Sequence, residues 1–242
     1  MDLRKEDFHL FEGENEQRIE SFALDQAPVS VGIVFDCSGS MKNKIDKSFA
    51  AVRQFLKTSM PGDEFFLVEF SDVPKVLLRF TQDPDEVAAN LNSIHPLGWT
   101  AMFDAIYLAA NQMRSAKNPR RALLVLSDGG DNDSRYSAGE AMNMLREADV
   151  RVFAIGLFDN ASFLRKAAAD TGGNVMVVRN INDLPDAVEK LSTQIRSQYL
   201  LGYYPVQSEN DGKFHRVKLI VSRTVEGLKL HTSWRHGYYA PY

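Results

Sequence analysis

The sequence predicts an α/β fold: a doubly wound, mostly parallel six-stranded sheet with helices on both faces, plus a small antiparallel β appendage formed by both chain termini. Three observations predict it. Through the middle of the chain, short β-branched apolar runs alternate with longer segments of helical period, the pattern of strands joined by crossover helices. Several runs, Val31 to Phe35 and Leu123 to Leu126 among them, are apolar without interruption, as suits strands covered on both faces. The two ends read instead as hairpins around polar turns.

Taken in order, residues 1–28 place Phe8, Leu10, Ile19, Phe22 and Leu24 around a polar turn at Gly13 to Glu16, which predicts a hairpin. Core strands are expected at Val29 to Asp36, Phe65 to Phe70, Val76 to Phe80, Ala122 to Ser127, Val150 to Gly156 and Val175 to Val178, all but Val76 to Phe80 parallel. Helices fill the gaps. One runs from Lys44 to Met60 and stops at Pro61-Gly62, and another opens on Asp83 as N-cap with Pro84 in its first turn. Ala101 to Arg114 follows, then a helix opened by the capping box of Ser137 and Glu140. Ala161 to Asp170 stops at Gly172-Gly173, and Ile181 to Arg196 is the last. Beyond it, Tyr199 to Tyr204, Phe214 to Arg223 and Leu228 to Arg235 read as strands separated by turns at Asn210-Asp211-Gly212 and Glu226-Gly227. These three and the N-terminal hairpin are expected to form one sheet, which divides the chain into an α/β domain at 29–198 and an appendage of 1–28 together with 199–242.

Composition removes several function classes. A net charge of -4 leaves too little excess of Lys and Arg for a phosphate-backbone partner, so no nucleic acid is expected. The longest apolar runs fall far short of the roughly 20 residues that span a bilayer, so no membrane span is expected. Met1 is followed by Asp2, Leu3, Arg4, Lys5 and Glu6, so no signal peptide is read in this chain. Cys37, the single cysteine, forms no internal disulfide and reads as a small core-facing residue. The histidines at 9, 95, 215, 231 and 236 lack zinc-site spacing.

The chemistry concentrates at strand ends. Asp36-Cys37-Ser38-Gly39-Ser40 follows directly on a buried strand and precedes a helix, so a carboxylate and two hydroxyls crowd that strand's carboxyl end. A second strand ends in Ser127-Asp128-Gly129-Gly130, and Gly98-Trp99-Thr100 places a hydroxyl just before a helix. Mg²⁺ prefers oxygen ligands at about 2.1 Å in an octahedron and keeps several waters. Two carboxylates match its charge, and neutral hydroxyls leave it electrophilic enough to accept an outside carboxylate. Gly39 is expected to let the loop turn tightly, and Gly129 and Gly130 to let backbone approach the ion. The expected metal ligands are Asp36, Ser38, Ser40, Thr100 and Asp128, with Mg²⁺ as the ion and Mn²⁺ or Ca²⁺ as alternatives.

This set, Asp36-x-Ser38-x-Ser40 with Thr100 and Asp128, resembles the metal-ion-dependent adhesion site of von Willebrand factor type A domains over about residues 29–198. The resemblance implies a Rossmann-like fold, direct ligation by Ser38, Ser40 and often Thr100, and contact through water from Asp36 and Asp128. The flanks, Asp7-Phe8 through Phe22, Gln198 to Tyr204 and Gly237 to Pro241, look like bacterial, acidobacterial-type members, which are often exported; an extracytoplasmic location is therefore expected. Cys37 is an uncommon occupant of its position, and Gly130 stands where members often carry an acidic residue.

The expected function is divalent-cation-dependent protein binding or adhesion, a partner Asp or Glu completing the coordination. The chain is not expected to be an enzyme, since it shows no P-loop, no G-x-S-x-G elbow and no evident base beside the site. The alternatives are a structural or assembly subunit whose metal stabilises loops, and a Mg²⁺-dependent phosphohydrolase. Asp131 reads as a structural loop carboxylate. Trp99 and Met102 either rim the site for a partner or pack beneath the loop. Arg216, Lys218, Lys229, His231 and Arg235 read as a solvated strand face.

Overall fold

The structure, a computed structural model, describes residues 3–157, 161–206, 211–223 and 232–241. In chain order the strands are β1 (Phe8–Glu12), β2 (Asn15–Gln17), β3 (Ile19–Asp25), β4 (Val29–Asp36), β5 (Glu64–Phe70), β6 (Lys75–Thr81), β7 (Arg120–Ser127), β8 (Arg151–Leu157), β9 (Asn174–Val178), β10 (Gln198–Tyr203), β11 (Phe214–Val221) and β12 (Gly237–Tyr239). The helices are α1 (Ile45–Leu56), α2 (Pro84–Asn90), α3 (Met102–Met113), α4 (Ala138–Glu147), α5 (Ser162–Thr171) and α6 (Leu184–Arg196). The chain divides into two compact units, Ala27–Arg196 and Met1–Gln26 with Ser197–Tyr242.

In the larger unit six strands lie in the order β6-β5-β4-β7-β8-β9, and only β6 runs antiparallel, as the sequence predicts. Every residue of β4 is buried, because helices cover both of its faces. Alternation sorts the strand's side chains: Val31, Ile33 and Phe35 join one core with α1, α2 and α6, while Val34 joins a second core with α3, α4 and α5. Helix boundaries follow local chemistry. Asp83 accepts the Asp85 N–H at 2.9 Å to start α2, Ser137 and Glu140 cap α4 reciprocally, and α5 stops at Gly172, which adopts a left-handed φ of 77°. The last carbonyls of α6 meet a buried arginine. Arg120 donates to the carbonyls of Ile195 at 2.6 Å and Arg196 at 3.2 Å, and to that of Ala27 at 2.6 Å.

The terminal unit is antiparallel, but among the described residues it holds two sheets rather than the expected one: β12-β11-β1-β2 and β10-β3. The N-terminal hairpin is shorter than predicted, with β1 pairing β2 across Gly13-Glu14. Ile19, Phe22 and Leu24 lie on β3, whose partner is β10, far along the chain. Phe8, Leu10 and Ile19 form a small buried cluster, packed against by Phe22 on β3, Tyr199 and Leu201 on β10, and Val217, Leu219 and Val221 on β11. Of the predicted strand at Leu228 to Arg235, residues 228–231 lie outside the described residues, as do the turn at Glu226-Gly227 and Asn210, while 232–235 carry no strand. The last strand is instead Gly237–Tyr239, paired to β11.

Candidate metal centre

Strand order positions the site. From β4 the chain crosses by α1 to β5 on one side, and later by α3 to β7 on the other, so the carboxyl ends of β4 and β7 flank a topological switch point. Asp36 and Ser127 end these two neighbouring parallel strands. Asp36 is fully buried. Its carboxylate accepts the Ser38 N–H at 2.8 Å through Oδ1 and the Ser127 hydroxyl at 2.5 Å through Oδ2. Burial raises the Asp36 pKa above the ordinary carboxylate value and the nearby Asp128 adds to the rise, while hydrogen bonds from Ser127 and Ser38 oppose it.

A chain of oxygens runs outward from there. Ser38 Oγ lies 3.0 Å from Ser40 Oγ, and the Ser40 hydroxyl donates to Asp128 Oδ1 at 2.7 Å. Ser38 is buried, whereas Ser40 is exposed. The second Asp128 oxygen accepts from the Lys44 ammonium, and the Asp128 side chain is only 1% exposed. Thr100 is buried on the neighbouring loop, its N–H donating to Asn132 Oδ1 at 2.8 Å while its carbonyl accepts the Asn132 N–H at 3.0 Å. Its hydroxyl lies 3.9 Å from where a Cβ on Gly129 would stand. The structure thus links Asp36, Ser38, Ser40 and Asp128 through neighbouring polar groups and sets Thr100 beside the Asp128 loop.

Backbone bonds tie these loops together. The Gly39 N–H donates to the Gly98 carbonyl at 3.0 Å, Leu97 N–H to Cys37 at 2.9 Å, and Ala101 N–H to Ser71 at 2.8 Å. On the neighbouring loop the backbone requires a glycine at Gly98. It has φ 82°, and a Cβ there would collide with the Asp72 carboxylate, which accepts the Trp99 N–H at 2.5 Å. Side chains at Gly39 and Gly129 would meet no protein atom closer than 3.5 Å, and Gly39 carries no left-handed φ.

Cys37 is buried against the Phe70 carbonyl, 3.2 Å from Sγ, and burial first, then the charges of Glu69 and Asp36, push its thiol up to about 12. Asp131 accepts the Phe103 N–H at 3.1 Å and a bond from the Ser134 hydroxyl, so it serves the start of α3. Trp99 and Met102 part company: Trp99 is exposed and Met102 is fully buried. Arg216, Lys218 and Arg235 are exposed, while Lys229 and His231 lie outside the described residues.

The donor set suits a hard cation. All of its side-chain donors are oxygens, and the 3.0 Å between the two serine hydroxyls matches the edge of about 3 Å in an octahedron with ligands at about 2.1 Å. Among the described residues, no three His, Cys, Asp or Glu side chains gather in a metal-holding group, so hydroxyls would have to supply part of the shell. Lys44, Ser127, Asp72 and Asn132 also shape the centre. The sequence alone assigns none of them a role, and only the position of Ser127 beside Asp128 hints at one.

Residues 30–190 match the family model of the von Willebrand factor type A domain. The chain is 31% identical over 176 residues to mouse inter alpha-trypsin inhibitor heavy chain 4, a match covering 64% of this chain and 19% of that protein. Among solved structures, it resembles a von Willebrand factor type A protein from Catenulispora acidiphila, with TM-score 0.64, 18% identity and coverage of 77% of this chain and 52% of that one. It also resembles the vWF domain of the type V pili tip protein Mfa5 from Porphyromonas gingivalis, with TM-score 0.59, 13% identity and coverage of 71% and 96%. At these identities the two structures speak for the fold alone.

Proposed function

This chain belongs to the von Willebrand factor type A domain family, a family commonly used for adhesion and protein interaction, and we propose that it binds a protein partner through a divalent cation held at Asp36, Ser38, Ser40, Thr100 and Asp128. The observation that carries the reading is the run of oxygens from buried Ser38 through exposed Ser40 to the buried Asp128 carboxylate. Ser38, Ser40 and Thr100 would hold the ion with neutral oxygens, and Asp36 and Asp128 would balance its charge. When bound, Mg²⁺, or Mn²⁺ or Ca²⁺ in its place, supplies an electrophilic position for a carboxylate.

The chain's own residues prepare that position. Asp36 holds the Ser38 backbone and accepts from Ser127, so the loop after β4 is fixed before any ligand arrives. Exposure of Ser40 leaves the outer side of the cluster open to a partner's Asp or Glu. We read the role as binding and not catalysis. An extracytoplasmic setting accords with the pilus-tip protein that shares the fold. Among the described residues, no helix is long and apolar enough to cross a membrane.

The test is a pull-down from the source organism with the chain as bait, in Mg²⁺ and in chelator, with Asp128→Ala alongside. A partner retained only by the parent chain in Mg²⁺ supports the reading. Equal retention in chelator, or by a folded Asp128→Ala variant, overturns it.

A further inference from the structure

We propose that Lys44 is a built-in competitor of the metal: its ammonium occupies the charge-balancing position on Asp128, and a divalent ion must displace it to bind. The inference rests on the cation reading of the site given above and adds the residue that sets its affinity. Three observations carry it.

The first is the ion pair itself. Asp128 has two carboxylate oxygens, of which Oδ1 accepts from Ser40 and Oδ2 from Lys44 Nζ. With 1% of the Asp128 side chain exposed, water does little to stabilise its charge, and the Lys44 ammonium meets it directly. The second is where the ammonium comes from. Lys44 is the residue immediately before α1, and it is anchored there by its own backbone: its N–H donates to Met41 at 2.8 Å and its carbonyl accepts the Ser48 N–H at 3.0 Å. A positive charge at a helix N-terminus opposes the helix dipole, so Asp128 holds the ammonium against the local field. The third is access. The Lys44 side chain is 23% exposed, so the ammonium has a route to water once Asp128 is neutralised by another ion.

A lysine and a divalent ion on the same carboxylate repel each other, and the ion brings the larger charge. Binding of the ion therefore exchanges one cation for another. The exchange lowers the apparent metal affinity, yet it keeps Asp128 compensated when the ion is absent. Lys44 thus acts as a positioning residue for Asp128 in the metal-free chain.

Calorimetric titration with Mn²⁺, paired with thermal melts in chelator and in saturating Mn²⁺, tests this on the full chain and on Lys44→Met, Lys44→Arg and Asp128→Ala. Lys44→Met is expected to bind Mn²⁺ about tenfold more tightly than the parent, the scale of one partly buried ion pair. Its melting temperature should fall below the parent's in chelator and rise by more than the parent's does in the same Mn²⁺, a larger gain that a merely structural lysine would not produce. Lys44→Arg keeps the charge and should keep the parent's weaker binding. If the parent binds Mn²⁺, Asp128→Ala does not, and Lys44→Met binds no more tightly than the parent, the Lys44 inference falls and the metal site stands. If neither the parent nor Lys44→Met binds Mn²⁺, both readings fall.

Discussion

Different physics holds each of the two units of this chain together. In the α/β unit, β4 is buried at all eight positions, and two apolar cores lie on opposite faces of the sheet. In the terminal unit, β11 alternates half-buried and exposed residues, and only Phe8, Leu10 and Ile19 are buried in its cluster. Part of its cohesion is polar. Glu12 on β1 accepts from the Tyr203 hydroxyl at 2.9 Å and the Tyr238 hydroxyl at 3.2 Å, and lies 2.7 Å from His215 Nδ1. His215 Nε2 is in turn 3.1 Å from Asp211. The difference teaches where a costly site can be placed. Desolvated carboxylates such as Asp36 and Asp128 sit in the unit whose apolar burial offsets them.

That comparison can be broken by truncating one aromatic side chain in each unit. Phe66 is fully buried and meets Phe80 at 5.0 Å between ring centroids, so Phe66→Ala should cost about 3–5 kcal/mol in urea unfolding. Phe22 is half-buried, stacked on Tyr199 at 5.3 Å, and Phe22→Ala should cost roughly half as much. Equal losses would mean that the terminal unit has a core of the same kind.

A smaller and pH-dependent effect sharpens the contrast. Asp211 and then Glu12 raise the His215 pKa above its ordinary value, so the protonated form is favoured in the folded chain. That contribution is fully present below the unfolded value of about 6.5 and is lost as pH rises through the raised one. Asp211 is lowered to about 2, chiefly by the Lys213 N–H and then by His215, so its contribution holds above the usual carboxylate value and fades as pH falls through about 2. Amide exchange, corrected for its intrinsic pH dependence, should show β1 and β11 losing protection as pH rises above about 6.5, with β4 and β7 unchanged. His215→Asn should flatten that profile. An unaltered profile in the variant would remove the network from the account.

Legibility in the sequence follows the same division. All six core strands can be read, because unbroken apolar runs with helices between them admit few other arrangements. In the terminal unit, β3 pairs with β10 across more than half the chain, and local periodicity carries no trace of so distant a partner. Periodicity alone therefore puts Ile19 and Phe22 in the wrong hairpin and passes over β12 at Gly237–Tyr239. The candidate site shows a parallel split. Asp36, Ser38, Ser40, Thr100 and Asp128 stand out as oxygen donors at strand ends in a recognisable order. Lys44, Asp72 and Asn132 do not, because their roles depend on how far a side chain reaches across to another loop. Likewise, Gly39 looks like the turn glycine, whereas the positive φ falls at Gly98 on the loop hydrogen-bonded to it.

The most direct test of the central claim is Mg²⁺ binding by isothermal calorimetry to the parent chain and to Ser40→Ala, a substitution at an exposed position that leaves the cores untouched. The account expects one Mg²⁺ bound by the parent and a loss of about tenfold or more in the variant. No Mg²⁺ bound by the parent, or equal affinity in the two, would contradict it.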